Sequence, residues 1–268
     1  MSIDVLSLWN FANPKESEER FREAMAGASP GDALILQTQV ARAMGLQNDN
    51  AGAIALLQSI ANDAQAHPEA HVRYHLEMGR SLASAAHKPE DMPAEAKATA
   101  RTHYEQAFQI AQAHRLDYLA IDALHMMVIV DDAPDAQIKW NHEALVYLEK
   151  SDQADAKKWE GSLRNNLGYS LHLAGRYEEA LVQFELSKKA REAAGREDLA
   201  RVARWMIAWT HRVIGKEDLA LQEQLDLERD CEAAGAPDPY VFEELATLYR
   251  NRGELEKSEA YAAKLNPA

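Results

Sequence analysis

The 268-residue chain carries a formal net charge of −14, and 47% of its residues are hydrophobic although only 7% are aromatic. This acidic charge repels phosphate groups and therefore argues against nucleic acids and anionic membranes as partners. The single cysteine excludes an internal disulfide framework, and no apolar run is long enough to span a bilayer. Because the first residues also lack the basic start and apolar core of a signal peptide, we expect a cytoplasmic protein.

The N-terminal residues predict a helix that covers the end of a larger array. Ala, Leu, Glu, Gln and Arg dominate the composition and favour helix. Pro14 suits a first helical turn, and Gly27 suits the end of the same helix. We interpret residues 1–30 as a capping helix and residues 31–268 as a helical repeat array, because a first repeat without a cap exposes its packing face.

Apolar residues at helical spacing, interrupted by short turns, predict six helix pairs after the cap. The predicted pairs cover residues 32–46 and 50–66, 68–86 and 93–114, 116–131 and 134–151, about 155–194 with a turn at Gly175, 197–214 and 216–234, and 238–252 and 254–266. The second pair contains an unusually long loop, HKPEDMP at residues 87–93.

The fourth pair shows the packing pattern most clearly. Its first helix carries the small residue Gly168, and its second carries Ala180 followed by Phe184. The first pair repeats this arrangement with Ala41 and Ala53 at the same spacing. Two helices approach closely only where the facing side chains are small, so we expect tightly packed helical hairpins.

This pattern resembles the tetratricopeptide repeat (TPR). Turns fall at Gly175, Gly215 and Gly253, and Asn48 stands where the first pair has its turn. The turns are spaced more widely than the common TPR unit of about 34 residues, as in the extended repeats of kinesin light chains and of bacterial regulators built on TPR arrays. The resemblance implies an all-α, right-handed superhelical solenoid of about six antiparallel helix pairs, whose first helices line a concave groove for a ligand.

The resemblance places ligand contacts on the first helices of the last three pairs. The residues predicted there are Asn165, Asn166, Tyr169, Trp205, Trp209, Arg212 and Glu243. Trp205 and Trp209 share one helix face and offer a large, rigid contact area, while the asparagines suit hydrogen bonds to a peptide backbone. The two tryptophans could instead pack between adjacent repeats, and the sequence leaves both readings open.

No catalytic arrangement stands out. Ser29 lies in the letters G-x-S-x-G, but a charged helix rather than a strand precedes it, so we interpret Ser29 as a helix cap. His67, His71 and His75 are spaced four apart, and imidazoles at this spacing can chelate a divalent metal. Since His67 precedes Pro68 at the helix start, a metal-dependent activity at these histidines is the least favoured hypothesis.

These observations favour a non-enzymatic scaffold, without a cofactor or metal, that binds a protein or peptide through its groove. The alternative is a regulatory TPR receptor that senses a ligand by tightening its array around it. Self-association into a homo-oligomer also stays open, because terminal repeats can expose their packing faces.

Overall fold

The computed structural model describes residues 3–88 and 92–265. Residues 89–91 of the predicted loop 87–93, the last residue of the predicted helix 254–266, and the first two residues of the predicted cap lie outside the described residues. Within the described residues the chain forms fourteen α-helices and the 3₁₀ helix Ala156–Trp159, with no strand. None of these helices is long and apolar enough to cross a membrane.

The helices follow the predicted order of a short N-terminal segment and six antiparallel pairs. The N-terminal helices are α1 (Val5–Leu8) and α2 (Pro14–Ala24). The pairs are α3 (Pro30–Leu46) with α4 (Asn50–Ala64), α5 (Pro68–Leu82) with α6 (Ala94–Ala113), α7 (Asp117–Val130) with α8 (Pro134–Lys150), α9 (Glu160–Leu173) with α10 (Tyr177–Ala193), α11 (Glu197–Val213) with α12 (Glu217–Ala233), and α13 (Pro239–Asn251) with α14 (Leu255–Leu265). The all-α fold of paired helices is therefore confirmed.

The chain forms two compact units. The N-terminal unit holds α1 to α8 with the 3₁₀ helix, and the C-terminal unit holds α9 to α14. In the N-terminal unit, Phe21 of α2 is fully buried in one cluster with Leu36 of α3, which is the contact that a cap requires. The division into a cap at residues 1–30 and an array at 31–268 stays a prediction about the roles of these helices.

Two helix ends differ from the sequence-based expectation. Helix α5 ends at Leu82 because the next residue, Ala83, adopts extended backbone angles and its carbonyl accepts a hydrogen bond from the Tyr104 hydroxyl at 2.8 Å. Helix α9 begins at Glu160 because the preceding residues form the separate 3₁₀ helix. The predicted cap at Ser29 is confirmed, since its hydroxyl accepts the Asp32 backbone N–H at 3.2 Å at the start of α3.

The turns inside the hairpins require a left-handed backbone residue. Gly175, between α9 and α10, has φ of 74°, and Asn48, between α3 and α4, has φ of 67°. Glycine adopts this conformation without steric cost, and asparagine is one of the few other residues that tolerate it. The predicted equivalence of Asn48 and Gly175 therefore has a direct backbone cause.

The two helices of a pair approach closely where the first helix carries a glycine. A Cβ atom on Gly168 of α9 would lie 2.6 Å from the Phe184 ring of α10, and one on Gly79 of α5 would lie 2.4 Å from the Tyr104 ring of α6. Phe184 and Tyr104 are both fully buried. The aromatic ring of the second helix therefore occupies the space that a side chain on the first helix would need.

Replacing Gly168 by alanine tests this packing. Although alanine favours helix, its methyl group would overlap the buried Phe184 ring, so we expect Gly168→Ala to lower the free energy of unfolding by about 1–3 kcal/mol. Chemical denaturation followed by circular dichroism measures the change. The matched control is Gly45→Ala on α3, whose added Cβ lies 3.4 Å from the nearest Asn50 atom, and it should leave stability unchanged or raise it by up to about 1 kcal/mol. Equal stability of both variants would contradict the packing argument.

Candidate ligand-binding site

Four aromatic rings form a continuous row across the first helices of the C-terminal unit. The row runs from Tyr169 on α9 through Trp209 and Trp205 on α11 to Tyr240 on α13. Successive ring centroids are 6.2, 5.5 and 6.0 Å apart. The two outer rings are 43% and 65% exposed, and the two tryptophans are half-buried. We call these four side chains the aromatic row.

His172 lies beneath the centre of the row. Its ring stacks on Trp209 with centroids 3.6 Å apart and planes 19° apart. Its Nδ1 is 2.9 Å from the Thr210 hydroxyl, which donates its only hydrogen to the Met206 carbonyl, so Nδ1 is the donor to Thr210. Burial, followed by the nearby charge of Arg212, lowers the pKa of His172 to about 4. The imidazole is therefore neutral at pH 7, and it adds no charge beneath the row.

Trp205 has a structural role as well as a place in the row. It packs against the buried cluster that contains Leu227 of α12 and Leu245 of α13, and its Nε1 is buried without a hydrogen-bond partner. Trp209, in contrast, contacts His172 and the two neighbouring rings of the row, Tyr169 and Trp205. The sequence left open whether the tryptophans pack between helices or line the surface. Packing between helices therefore applies more to Trp205 than to Trp209.

Arg212 and Glu244 form a paired charge beside the row. The guanidinium donates two hydrogen bonds, of 2.7 and 2.8 Å, to the Glu244 carboxylate and so links α11 to α13. These hydrogen bonds raise the pKa of Arg212, and Glu244 is only 6% exposed. Glu243, the residue predicted from the sequence, is exposed next to this pair. The charge of Arg212 is therefore already balanced within the protein.

The two predicted asparagines occupy different environments on α9. Asn165 is only 7% exposed, and its side-chain oxygen accepts a hydrogen bond of 3.2 Å from Arg191 of α10. The same Arg191 nitrogen donates to the Leu199 carbonyl of α11 at 2.8 Å, so this contact connects three helices. Asn166 is half-buried. Direct contact of a ligand with the seven predicted residues stays a prediction.

The ligand contacts predicted from the sequence do not include His172 and Tyr240. His172 lies three residues after Tyr169 on the same helix face, which is a signal the sequence contains. Tyr240 lies in the first turn of α13, where no periodic pattern predicts its position beside Trp205.

A second candidate site, which is polar and was not predicted from the sequence, lies in the N-terminal unit. A cavity of about 250 Å³ is lined by Arg42 of α3, Glu77 and Arg80 of α5, and Asp122 of α7. Arg80 contacts the Glu77 carboxylate at 2.6 Å and the Asp122 carboxylate at 2.5 Å. The signal for this site is Asp122, which is the one charged residue in the apolar stretch LAIDALHMMVIV at residues 119–130.

Three histidines cluster in the N-terminal unit, but they are not the three of the metal hypothesis. His75 Nδ1 is 2.9 Å from His103 Nδ1, and His75 Nε2 is 3.3 Å from His71 Nε2. Because the two contacts use opposite sides of the His75 ring, the three imidazoles form a chain and do not converge on one point. His67 instead lies against Gly31 at the start of α3. Across residues 3–88 and 92–265, no group of three His, Cys, Asp or Glu side chains is arranged to hold a metal ion.

No protein-family profile and no curated protein matches this chain. Its fold does resemble solved structures. A STAND protein with a tetratricopeptide repeat sensor from Pyrococcus horikoshii superposes with a TM-score of 0.72 at 13% identity, over 95% of this chain. The chain spans 39% of the length of that protein. The apo form of RapI superposes with a TM-score of 0.55 at 12% identity, over 92% of this chain and 88% of RapI. The comparisons therefore show a TPR-type helical fold.

The histidine chain predicts that stability falls in mild acid. Burial, followed by the neighbouring His103 and His71, lowers the pKa of His75 to about 3, whereas histidine in an unfolded chain titrates near pH 6.5. Between these values the unfolded state binds a proton that the folded state excludes, so the stabilising contribution is present above about pH 6.5 and is lost as the pH falls toward 3. We expect His75→Gln to reduce the loss of unfolding free energy between pH 7.5 and pH 5 by about 1–2 kcal/mol, measured by urea denaturation.

The control for this experiment is His142→Gln on α8, where the histidine is exposed. This variant should show the same pH dependence as the unmodified chain. If His75→Gln also leaves the pH dependence unchanged, His75 does not exclude a proton in the folded state.

Proposed function

We propose that this chain is a non-enzymatic binding protein that holds a peptide or protein segment against the aromatic row. The observation that carries the proposal is the continuity of the row over three successive first helices, with Tyr169 and Tyr240 largely exposed at its ends. Tyrosine and tryptophan combine a large apolar area with a polar edge and few rotatable bonds, and they dominate the binding energy of many interfaces.

The spacing of the row suits an extended peptide. Its ring centroids lie 5.5 to 6.2 Å apart. In an extended chain, alternate side chains point to the same face and repeat about every 6.6 Å. A peptide that crosses α9, α11 and α13 would therefore present alternate side chains to successive rings.

The charge of the protein indicates what else such a peptide carries. The side chains that flank the row add no net charge, because His172 is neutral and Arg212 is paired with Glu244. The chain as a whole has a net charge of −14, and Glu243, three residues after Tyr240 on α13, is exposed. Apolar or aromatic residues at alternate positions, flanked by basic residues, would complement this surface.

A ligand-sensing regulator is the second candidate. It is favoured by the likeness of the fold to a protein described as having a tetratricopeptide repeat sensor. A sensor changes its conformational equilibrium when its ligand binds, whereas a scaffold does not need to. A change in the radius of gyration on peptide binding, measured by small-angle X-ray scattering, would favour the sensor.

Selection from a displayed library of random 12-residue peptides tests the binding proposal. A selected peptide is synthesised, and its Kd is measured by fluorescence anisotropy. We expect Trp209→Ala and Tyr169→Ala each to weaken binding by about 10- to 30-fold, because they remove central aromatic contact area. Trp205 is less suitable for this test because it also packs on the core.

The matched controls are Val182→Ala on α10 and Leu219→Ala on α12. These side chains are 55% and 44% exposed, but they lie on second helices. Both controls should bind like the unmodified protein. If peptides bind equally well to Trp209→Ala, or lose affinity only in the control variants, the aromatic row is not the binding site.

A further inference from the structure

The cavity of the N-terminal unit has the properties of a built ligand site. Its volume of about 250 Å³ is just below that of pockets for drug-sized ligands, about 300–1,000 Å³. Its charged lining residues lie on the first helices α3, α5 and α7, and its apolar lining residues include Leu46, Met126 and Ile129. A small molecule with one polar end and one apolar end fits such a lining.

The buried ion network on the cavity wall is incomplete. Arg80 is shared between the carboxylates of Glu77 and Asp122. Glu77 is only 1% exposed, and although its Oε1 pairs with Arg80, its Oε2 is buried without a hydrogen-bond partner. An unsatisfied buried carboxylate oxygen is costly, so it indicates a donor that arrives from elsewhere.

Arg42 brings a further positive charge to the cavity lining. Its guanidinium lies over the stacked rings of Trp9 and Phe11, 5.4 and 5.6 Å from their centroids. Within the described part of the chain, no carboxylate forms a salt bridge with it. Burial, followed by the neighbouring charge of Arg80, lowers the pKa of Arg42, and the nearby charges of Glu77 and Asp122 offset only part of this shift.

Trp159 lines the same cavity and carries a hydrogen-bond donor without a partner. Its indole Nε1 is buried and has no hydrogen-bond partner. Its ring is held beside Tyr118 and His125, with centroids 5.5 and 5.4 Å away. The residues that line the cavity therefore include an unsatisfied acceptor at Glu77, an unsatisfied donor at Trp159 and, at Arg42, a cation that forms no salt bridge within the described residues.

The charge balance decides which ligand suits these groups. Arg42 and Arg80 together balance Glu77 and Asp122, so an added anion would be opposed by the carboxylates and an added cation by the arginines. A molecule with both charges satisfies Arg42 and Glu77 without changing the net charge. We propose that this cavity binds a free zwitterionic α-amino acid with an apolar side chain, its carboxylate on Arg42 and Trp159 Nε1 and its ammonium group on Glu77 Oε2.

Isothermal titration calorimetry with L-leucine and two analogues tests this proposal on the full chain. Leucinamide lacks the carboxylate, and N-acetyl-leucine lacks the ammonium group. We expect L-leucine to bind with a stoichiometry of one and both analogues to bind at least about 10-fold more weakly, because each leaves one charged group of the cavity without its partner. Equal binding of either analogue, or no binding of L-leucine at about 10 mM, would overturn the proposal.

Two variants identify the cavity as the place of binding. Arg42→Gln should weaken L-leucine binding by about 10- to 100-fold, and Trp159→Phe, which keeps the ring and removes only the donor, by about 2- to 10-fold. The control Arg73→Gln removes an arginine of α5 that pairs with Glu69 and does not line the cavity, and it should not change binding. Trp209→Ala should also leave L-leucine binding intact. The proposal for the cavity is therefore tested independently of peptide binding at the aromatic row. Unchanged affinity in both Arg42→Gln and Trp159→Phe would place binding elsewhere.

Discussion

The close contact between the two helices of a pair is the constraint on which the structure depends. At Gly168 and Gly79 the first helix has no side chain, and the buried ring of Phe184 or Tyr104 on the second helix fills the space. The Tyr104 hydroxyl also fixes the end of α5 through the Ala83 carbonyl. Because each of these two rings fits only the space above its glycine, the packing of these two pairs is specified.

Besides the residues that pack each pair together, the first helices carry side chains that are grouped at the two candidate sites. In the C-terminal unit these are the rings of the aromatic row on α9, α11 and α13. In the N-terminal unit they are the charged groups of α3, α5 and α7 around the cavity. The same hairpin framework therefore supports an aromatic surface in one unit and a charged cavity in the other.

The two candidate sites differ in their electrostatics, which separates the ligands that suit them. The aromatic row has no charged side chain, and its immediate surroundings add no net charge, since burial keeps His172 uncharged and Glu244 pairs with Arg212. Its contribution to binding would come from contact area. The cavity holds four charges in low-dielectric surroundings, where an unsatisfied group such as Glu77 Oε2 is costly. Binding there would depend on charged hydrogen bonds, and it would be far more selective for functional groups.

The sequence by itself determined the six helix pairs and the turn at Asn48, because helical periodicity and left-handed turn residues are local properties. It also predicted the first-helix face that carries Trp209, since residues three and four apart share a face. Only the tertiary structure decided that Asn165 is buried against Arg191, that His75 meets His103, and that Arg42 and Glu77 share a cavity. These contacts join residues distant in sequence, and no local pattern specifies which side chains meet when successive helices pack.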